Sequence, residues 1–362
     1  MLEINFAEPS LKILRLIHGA SNTNDFTAVF DHLVNNGAEE LYKQMVNNNI
    51  VKYDQKLLKK IQKSKEALFE TLNKEAPTNL DNEEFIRRQA EFYAKTFDLE
   101  NFEAKTKELL ETNKTSSMQL DILFCKIRIA LILDDKQMLN TNILKAKEVS
   151  ILADWDRKNR FKVYLGVYSI RKADFVEAAK YFYECLASFE AEEILSFNEV
   201  ILYLVFSGLL VYSRTDLEKK LINNFEVLKL KEISAPAEAF YNCEYSKLLS
   251  VLINFSDLMD NDVFIQKYRE YFVREMMCKG YVQFLSSYQS VGITKMAEVF
   301  GVRDEFLEED LRKFTINKRI GCEIDKLDNL ITVLRVKKEE DVEKNLLDAE
   351  DILKLIRKVT NK

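Results

Sequence analysis

Residues 161–189 read FKVYLGVYSIRKADFVEAAKYFYECLASF. Apolar and small residues recur at helical spacing on both sides of RKAD, a four-residue polar break with an aspartate where a helix N-cap belongs. Gly166 stands in the first half, and Ala178 and Phe182 stand in the second. Small residues let two helices approach closely, and an aromatic beside them fills the remaining gap. The stretch predicts two antiparallel helices that cross at Gly166 and Ala178, with Phe182 packed at the crossing.

Working outward, the same rhythm continues. Gly166, Ala178 and Phe182 have the spacing of the Gly, Ala and Phe positions of a tetratricopeptide repeat. Lys162 and Ser169 stand where that repeat usually has aromatics, so the match is partial. A weaker echo lies at 92–110, FYAKTFDLENFEAKTKELL. Polar corners at APTNLDNEE, ETNKTSS, LDDKQ and RKADF separate helical patterns from about 55 to 278. Helix pairs in series imply an α-solenoid, a class whose surface normally binds protein. Before residue 55, a short periodic stretch (Leu11, Leu14, Ile17) and an Asn-rich segment read as an N-terminal arm of uncertain order.

Composition agrees with helices. The chain has 362 residues, 47% hydrophobic and 31% charged, with only 8 Gly and 3 Pro. Average usage is about 7% and 5%. Positive-φ and fixed-φ turns lean on these two residues, so few tight turns are expected and β-sandwiches, barrels and glycine-cradled nucleotide sites are disfavoured. The net charge of −6 gives no field that attracts nucleic acid or an anionic membrane. Cysteines 125, 185, 243, 278 and 322 are singletons without a CxxC, which reads as reduced, mostly buried thiols of an intracellular protein. Glu3 and Glu8 stand where a signal peptide would be basic and then apolar. The longest apolar run, VILYLVFSGLLVY at 200–212, is too short to span a bilayer and reads as a buried helix.

After Gly280 the rhythm changes. YVQFLSSYQS, ITKMAEVFG and DEFLEEDLRKFTINKR predict three short helices, with stripes at Ile293, Met296, Ala297, Phe300 and at Leu307, Leu311, Phe314. Ile320, Cys322 and Ile324 then alternate before the polar turn Asp325–Asn329 and a β-branched run with Ile331 and Val333. Three helices and a hairpin are the parts of a winged helix. In the final segment Val342, Leu346, Ala349, Leu353 and Ile356 step by 4, 3, 4 and 3, a helical seam that needs a partner to cover it.

A winged helix raises the possibility of DNA binding. The N-terminal part of the recognition helix carries Asp304, Glu305, Glu308, Glu309 and Asp310, which repel phosphates. Packing and pairing of the wing with a neighbour's sheet is the better expectation. His18 and His32 have no nucleophile or metal-ligand pair near them. No phosphate loop, HExxH or GxSxG is present. Asp154 and Asp156 flank Trp155, the single tryptophan, in ADWDRKNR. An enzyme using this pair is one alternative. The plainer expectation is a structural corner, in which Asp154 or Asp156 caps a helix start near 157 and Trp155 buries its ring.

ADWDRKNRFKVYLGVYSIRKADFVEAAKYF, YFVREMMCKGYVQFLSSYQS, MAEVFGV and CEIDKLDNLI together resemble the non-ATPase regulatory subunit 6 type of the 26S proteasome, a PCI-domain family of the regulatory particle lid. The likeness runs with gaps from about 80 to 335. Ala153 stands where the family usually has Gly, and the region before 55 looks short and diverged. The paralogous signalosome subunit is the nearest alternative, and DWDRKNR with the compact tail favours the lid. The resemblance implies an N-terminal arm at 1–54, a TPR-like region at 55–170, a PCI domain at 171–335 (helical to 278, winged helix from 279) and a C-terminal bundle helix at 336–362. It further implies a non-catalytic scaffold without cofactor or metal, located in cytoplasm and nucleus. Its partners would be lid subunits, met through winged-helix contacts and a helical bundle, and the ATPase ring.

Overall fold

The computed structural model describes residues 6–75 and 82–334. In chain order the helices are α1 (Lys12–Thr23), α2 (Thr27–Asn36), α3 (Glu39–Asn47), α4 (Gln55–Glu75), α5 (Asn82–Thr96) and α6 (Leu99–Thr112). They continue with α7 (Ser116–Ile132), α8 (Lys136–Ser150), α9 (Trp155–Arg171), α10 (Phe175–Cys185) and α11 (Phe197–Val211). Then follow α12 (Arg214–Leu217), α13 (Phe225–Lys229), α14 (Lys231–Tyr241), α15 (Tyr245–Asp260) and α16 (Arg269–Leu285). Strand β1 (Ser290–Gly292), α17 (Ile293–Phe300), α18 (Asp304–Ile316), β2 (Cys322–Asp325) and β3 (Leu330–Val333) complete the order. The fold is a helical solenoid followed by a winged helix. The described residues form two compact units: those from 6 to 241 with 251–273, and 242–250 with 274–334.

In the first unit α5 packs on α6, α7 on α8, and α9 on α10, with α11 against α10. The expected division at 170/171 falls inside the α9–α10 pair, so those helices belong to one unit. The corners are tight despite the lack of glycine. Phe97, Asp134 and Ala173 take positive φ of 59°, 55° and 60°. After each, an aspartate N–H closes back to the carbonyl five residues earlier: Asp98 to Tyr93, Asp135 to Ala130 and Asp174 to Ser169, at 2.9–3.0 Å. The same aspartates then cap α6, α8 and α10 by accepting from Asn101, from Gln137 and Met138, and from Glu177. One residue thus ends a helix and the next one starts its partner. Scarcity of glycine removed neither function.

The apolar run at 200–212 lies in α11, buried from Val200 to Leu209 and started by a capping box between Ser196 and Glu199. No helix among the described residues is long and apolar enough to cross a membrane. The N-terminal arm expected at 1–54 with uncertain order forms, over its described residues, an irregular lead segment and the helices α1 to α3, with Phe6 and Leu11 buried.

In the second unit Gly280 lies inside α16 and does not break it. A Cβ there would stand 3.0 Å from Leu248 Cδ2, so the glycine serves a close approach. Phe300 joins Tyr245, Tyr281 and Phe284 at ring separations of 4.8–5.7 Å. The predicted stripes Ile293, Met296, Ala297, Phe300 and Leu307, Leu311, Phe314 are all buried. The sheet order is β1-β3-β2, antiparallel throughout, with Ile331 facing Val291 on one side and Ile324 on the other. β1 escapes a periodicity argument because three residues hold no period.

Candidate functional site

Around Trp155 the structure assigns the chemistry differently from the sequence. Asp154 occupies the N-cap position of α9 but makes no side-chain cap bond. Its Oδ2 instead accepts from Ser117 Oγ at 2.7 Å and from Arg157 Nη1 at 3.2 Å. Asp156 sits in the first turn, where its charge complements the helix dipole. Trp155 is 66% exposed, beside exposed Ile151 and Leu152, so its ring is not buried at the junction. Side chains at the first helical position lean back off the helix end, here over a corner with no cover of its own.

The arginines that follow make the contacts. Arg157, Arg160 and Tyr164 share one face of α9, and Asp121, Phe124 and Arg128 share the facing stripe of α7. Arg157 donates in fork fashion to Asp121, Nε to Oδ1 at 3.1 Å and Nη2 to Oδ2 at 2.8 Å. Arg160 donates from Nε and Nη2 to Glu193 Oε1 at 3.2 and 2.8 Å, and Tyr164 donates to the same oxygen at 3.1 Å. Tyr164 stacks on Phe124 at 4.4 Å between centroids. Arg128 is wholly buried. It donates to the Tyr164 hydroxyl, to Pro9 O at 2.9 Å and to Phe6 O. Burial opposes its charge, yet Tyr164 and Glu193 opposite it hold the guanidinium pKa above its usual value. Three arginines thus face Asp121, Glu193 and Asp154, so the charges balance. Buried charge is tolerated only when paired and hydrogen-bonded in this way. The network ties the segment at 6–9, α7, α9 and the loop before α11 into one body. Its sequence signal was an Asp and an Arg seven residues apart inside an apolar helix, LDILFCKIR.

The repeat residues meet as a crossing. A Cβ on Gly166 would lie 2.6 Å from Phe182 Cζ, and Ala178 and Phe182 are fully buried. In the second unit, Ile320 and Cys322 are buried and Ile324 and Val333 half-buried on the wing. The wing tip is shaped by Asp325, whose Oδ1 accepts from Leu327 N at 2.9 Å, and by Asn329 at φ 50°. β2 pairs only with β3, so among the described residues its other edge carries unpaired backbone groups. A cavity of about 770 Å³ runs beside that edge, lined by Arg312, Thr315, Ile316 and Ile324 among others. This arrangement offers an exposed surface and a strand edge. Val342, Leu346, Ala349, Leu353 and Ile356 lie outside the described residues.

The family model of the 26S proteasome subunit RPN7 matches residues 51–220, and the PCI domain model matches 255–335. The chain is 29% identical to the 26S proteasome non-ATPase regulatory subunit 6 of Dictyostelium discoideum, over 95% of this chain and 94% of that protein. It is 28% identical to the 26S proteasome regulatory subunit RPN7 of Saccharomyces cerevisiae, over 84% of this chain and 76% of that one. A 28% identity to the 26S proteasome non-ATPase regulatory subunit 6 homolog of Arabidopsis thaliana spans 85% and 82% of the two chains. The α7–α9 charge network and the Gly166–Phe182 crossing fall in the first match, the three-stranded sheet falls in the second, and over both stretches the chain is similar to the 26S proteasome subunit RPN7 family.

Proposed function

We propose that this chain is a non-catalytic structural subunit of the 26S proteasome regulatory particle lid, supporting lid assembly and ubiquitin-dependent degradation. The observation that carries the reading is likeness over nearly the whole length to a protein named as a 26S proteasome non-ATPase regulatory subunit. Three features of the chain support it. Among the described residues the edge of β2 is open to pairing. Asp154 is spent on Ser117 and Arg157, a structural use of the carboxylate. The carboxylates that open α18 disfavour a nucleic-acid partner.

In this reading the winged helix, with Ile320, Cys322, Ile324, Ile331 and Val333 on its wing, extends a neighbouring lid subunit's sheet. The seam Val342, Leu346, Ala349, Leu353 and Ile356 enters a helical bundle with lid partners. The ATPase ring is a further neighbour, and the chain works in cytoplasm and nucleus. Deleting 339–362 tests the bundle role. The truncated chain should remain soluble and helical by circular dichroism yet no longer co-purify with lid subunits. Normal assembly of the truncated chain would remove the bundle from the account.

A further inference from the structure

The first unit holds a cavity of about 500 Å³ where the α7–α8 corner meets α1, α3 and residues 263–264. Its size is that of a ligand pocket. Leu14, Ile17, Leu41 and Met45 contribute an apolar wall. Gln44 stands in the same wall. Its Nε2 donates to Leu133 O at 2.8 Å, while its Oε1 is buried without a donor. A buried acceptor left unsatisfied is costly and invites an N–H from outside. Lys136, Arg171 and Lys267 also line the cavity. Arg171 is paired with Asp134. Lys136 and Lys267 are exposed, and among the described residues neither has an ion-pair partner; Lys267 Nζ lies 4.8 Å from the Tyr268 ring. A chain of net charge −6 thus places two uncommitted cations beside an apolar hollow that holds an unused acceptor.

We propose that this cavity docks a partner protein's peptide segment in which apolar side chains are flanked by Asp or Glu. The apolar side chains enter between α1 and α3, a backbone N–H of the segment donates to Gln44 Oε1, and the flanking carboxylates reach Lys136 and Lys267. The site goes beyond the scaffold reading and does not rest on it, since it is tested on the isolated full chain.

The probe is an array of fluorescent hexapeptides with every pairing of Leu, Ile, Met and Phe at the centre. They are flanked by acidic residues in one set and by lysines in a second; a third set is acidic with serine at the centre. Members of the acidic apolar set should bind by fluorescence anisotropy, about tenfold or more tighter than their counterparts, and weaken with salt. The Lys136→Glu, Lys267→Glu double variant, altered only at exposed positions, should keep its melting curve and lose that binding about tenfold. Gln44→Leu should weaken binding while keeping the preference for acidic flanks. Absence of binding across the acidic apolar set, equal binding of acidic and basic sets, or unchanged binding by the double-lysine variant would overturn the proposal.

Discussion

Replacing Gly166 by alanine puts the helix crossing to a quantitative test. The added Cβ would lie 2.6, 2.7 and 3.1 Å from Cζ, Cε1 and Cδ1 of Phe182. Carbon atoms pack best at about 3.5–4.0 Å, so the ring or the helix has to move by roughly 1 Å. The ring has no free direction. Phe182 is fully buried and meets Tyr203 edge-on at 5.4 Å. Overpacking of this kind costs about 1–3 kcal/mol, and alanine returns about 1 kcal/mol of helix propensity. The expected net loss is up to about 2 kcal/mol, read as a Tm lowered by up to about 8 °C. Circular dichroism melts of four proteins give the answer: the parent, Gly166→Ala, Phe182→Leu and the double variant. With the ring removed the alanine has room, so Gly166→Ala should be neutral or stabilising in the Phe182→Leu background, a coupling of about 1–3 kcal/mol. A stabilising Gly166→Ala in the parent, or the same effect in both backgrounds, would refute the crossing geometry.

Three further outcomes follow from named contacts. Arg128→Met strips the donors from Phe6 O and Pro9 O and a countercharge from Glu193. It should cost at least about 3–5 kcal/mol in urea melts and release the Leu11 amide, which donates to Glu193 O, to hydrogen exchange; unchanged protection would contradict this. Ala173→Gly relieves a left-handed residue at the α9–α10 corner and should stabilise by about 0.5–1 kcal/mol; a loss of stability would count against that corner. Asp262 is buried, which raises its pKa above 3.8 despite bonds from Tyr203, Phe264 and Ile265. Its folded form holds a proton that the unfolded form has lost, so stability falls as pH rises from about 4 through the folded pKa. Asp262→Asn keeps an acceptor and should remove that decline; a parent-minus-variant difference independent of pH would contradict the sign.

The helical class was legible because amphipathic periods and Asp-led corners are local signals. RKAD showed where α9 and α10 separate, and Gly166, Ala178 and Phe182 showed how they meet. The corners themselves were misjudged from composition, because Phe97, Asp134 and Ala173 take the left-handed conformation without glycine. Neighbouring structure overrides that local preference. In ADWDRKNR the conspicuous Trp155 drew attention, yet Arg157 and Arg160 hold the structure together through Asp121 and Glu193. Their partners lie more than thirty residues away in sequence, and pairing over that distance leaves no period to read. The irregular segment at 6–11 was missed for the same reason: its carbonyls are held by Arg128, far away in sequence, and it has no apolar stripe. On the wing, Ile320, Cys322, Ile324 and the β-branched run gave the hairpin, while β1 was too short to announce itself.

Membership of a multi-subunit particle is put to the test by native mass spectrometry of the tagged chain purified from its own cells. The chain should appear in a large assembly with proteasome regulatory subunits, from which it leaves only on disruption. A chain recovered alone as a monomer, with no such subunits bound, would contradict it.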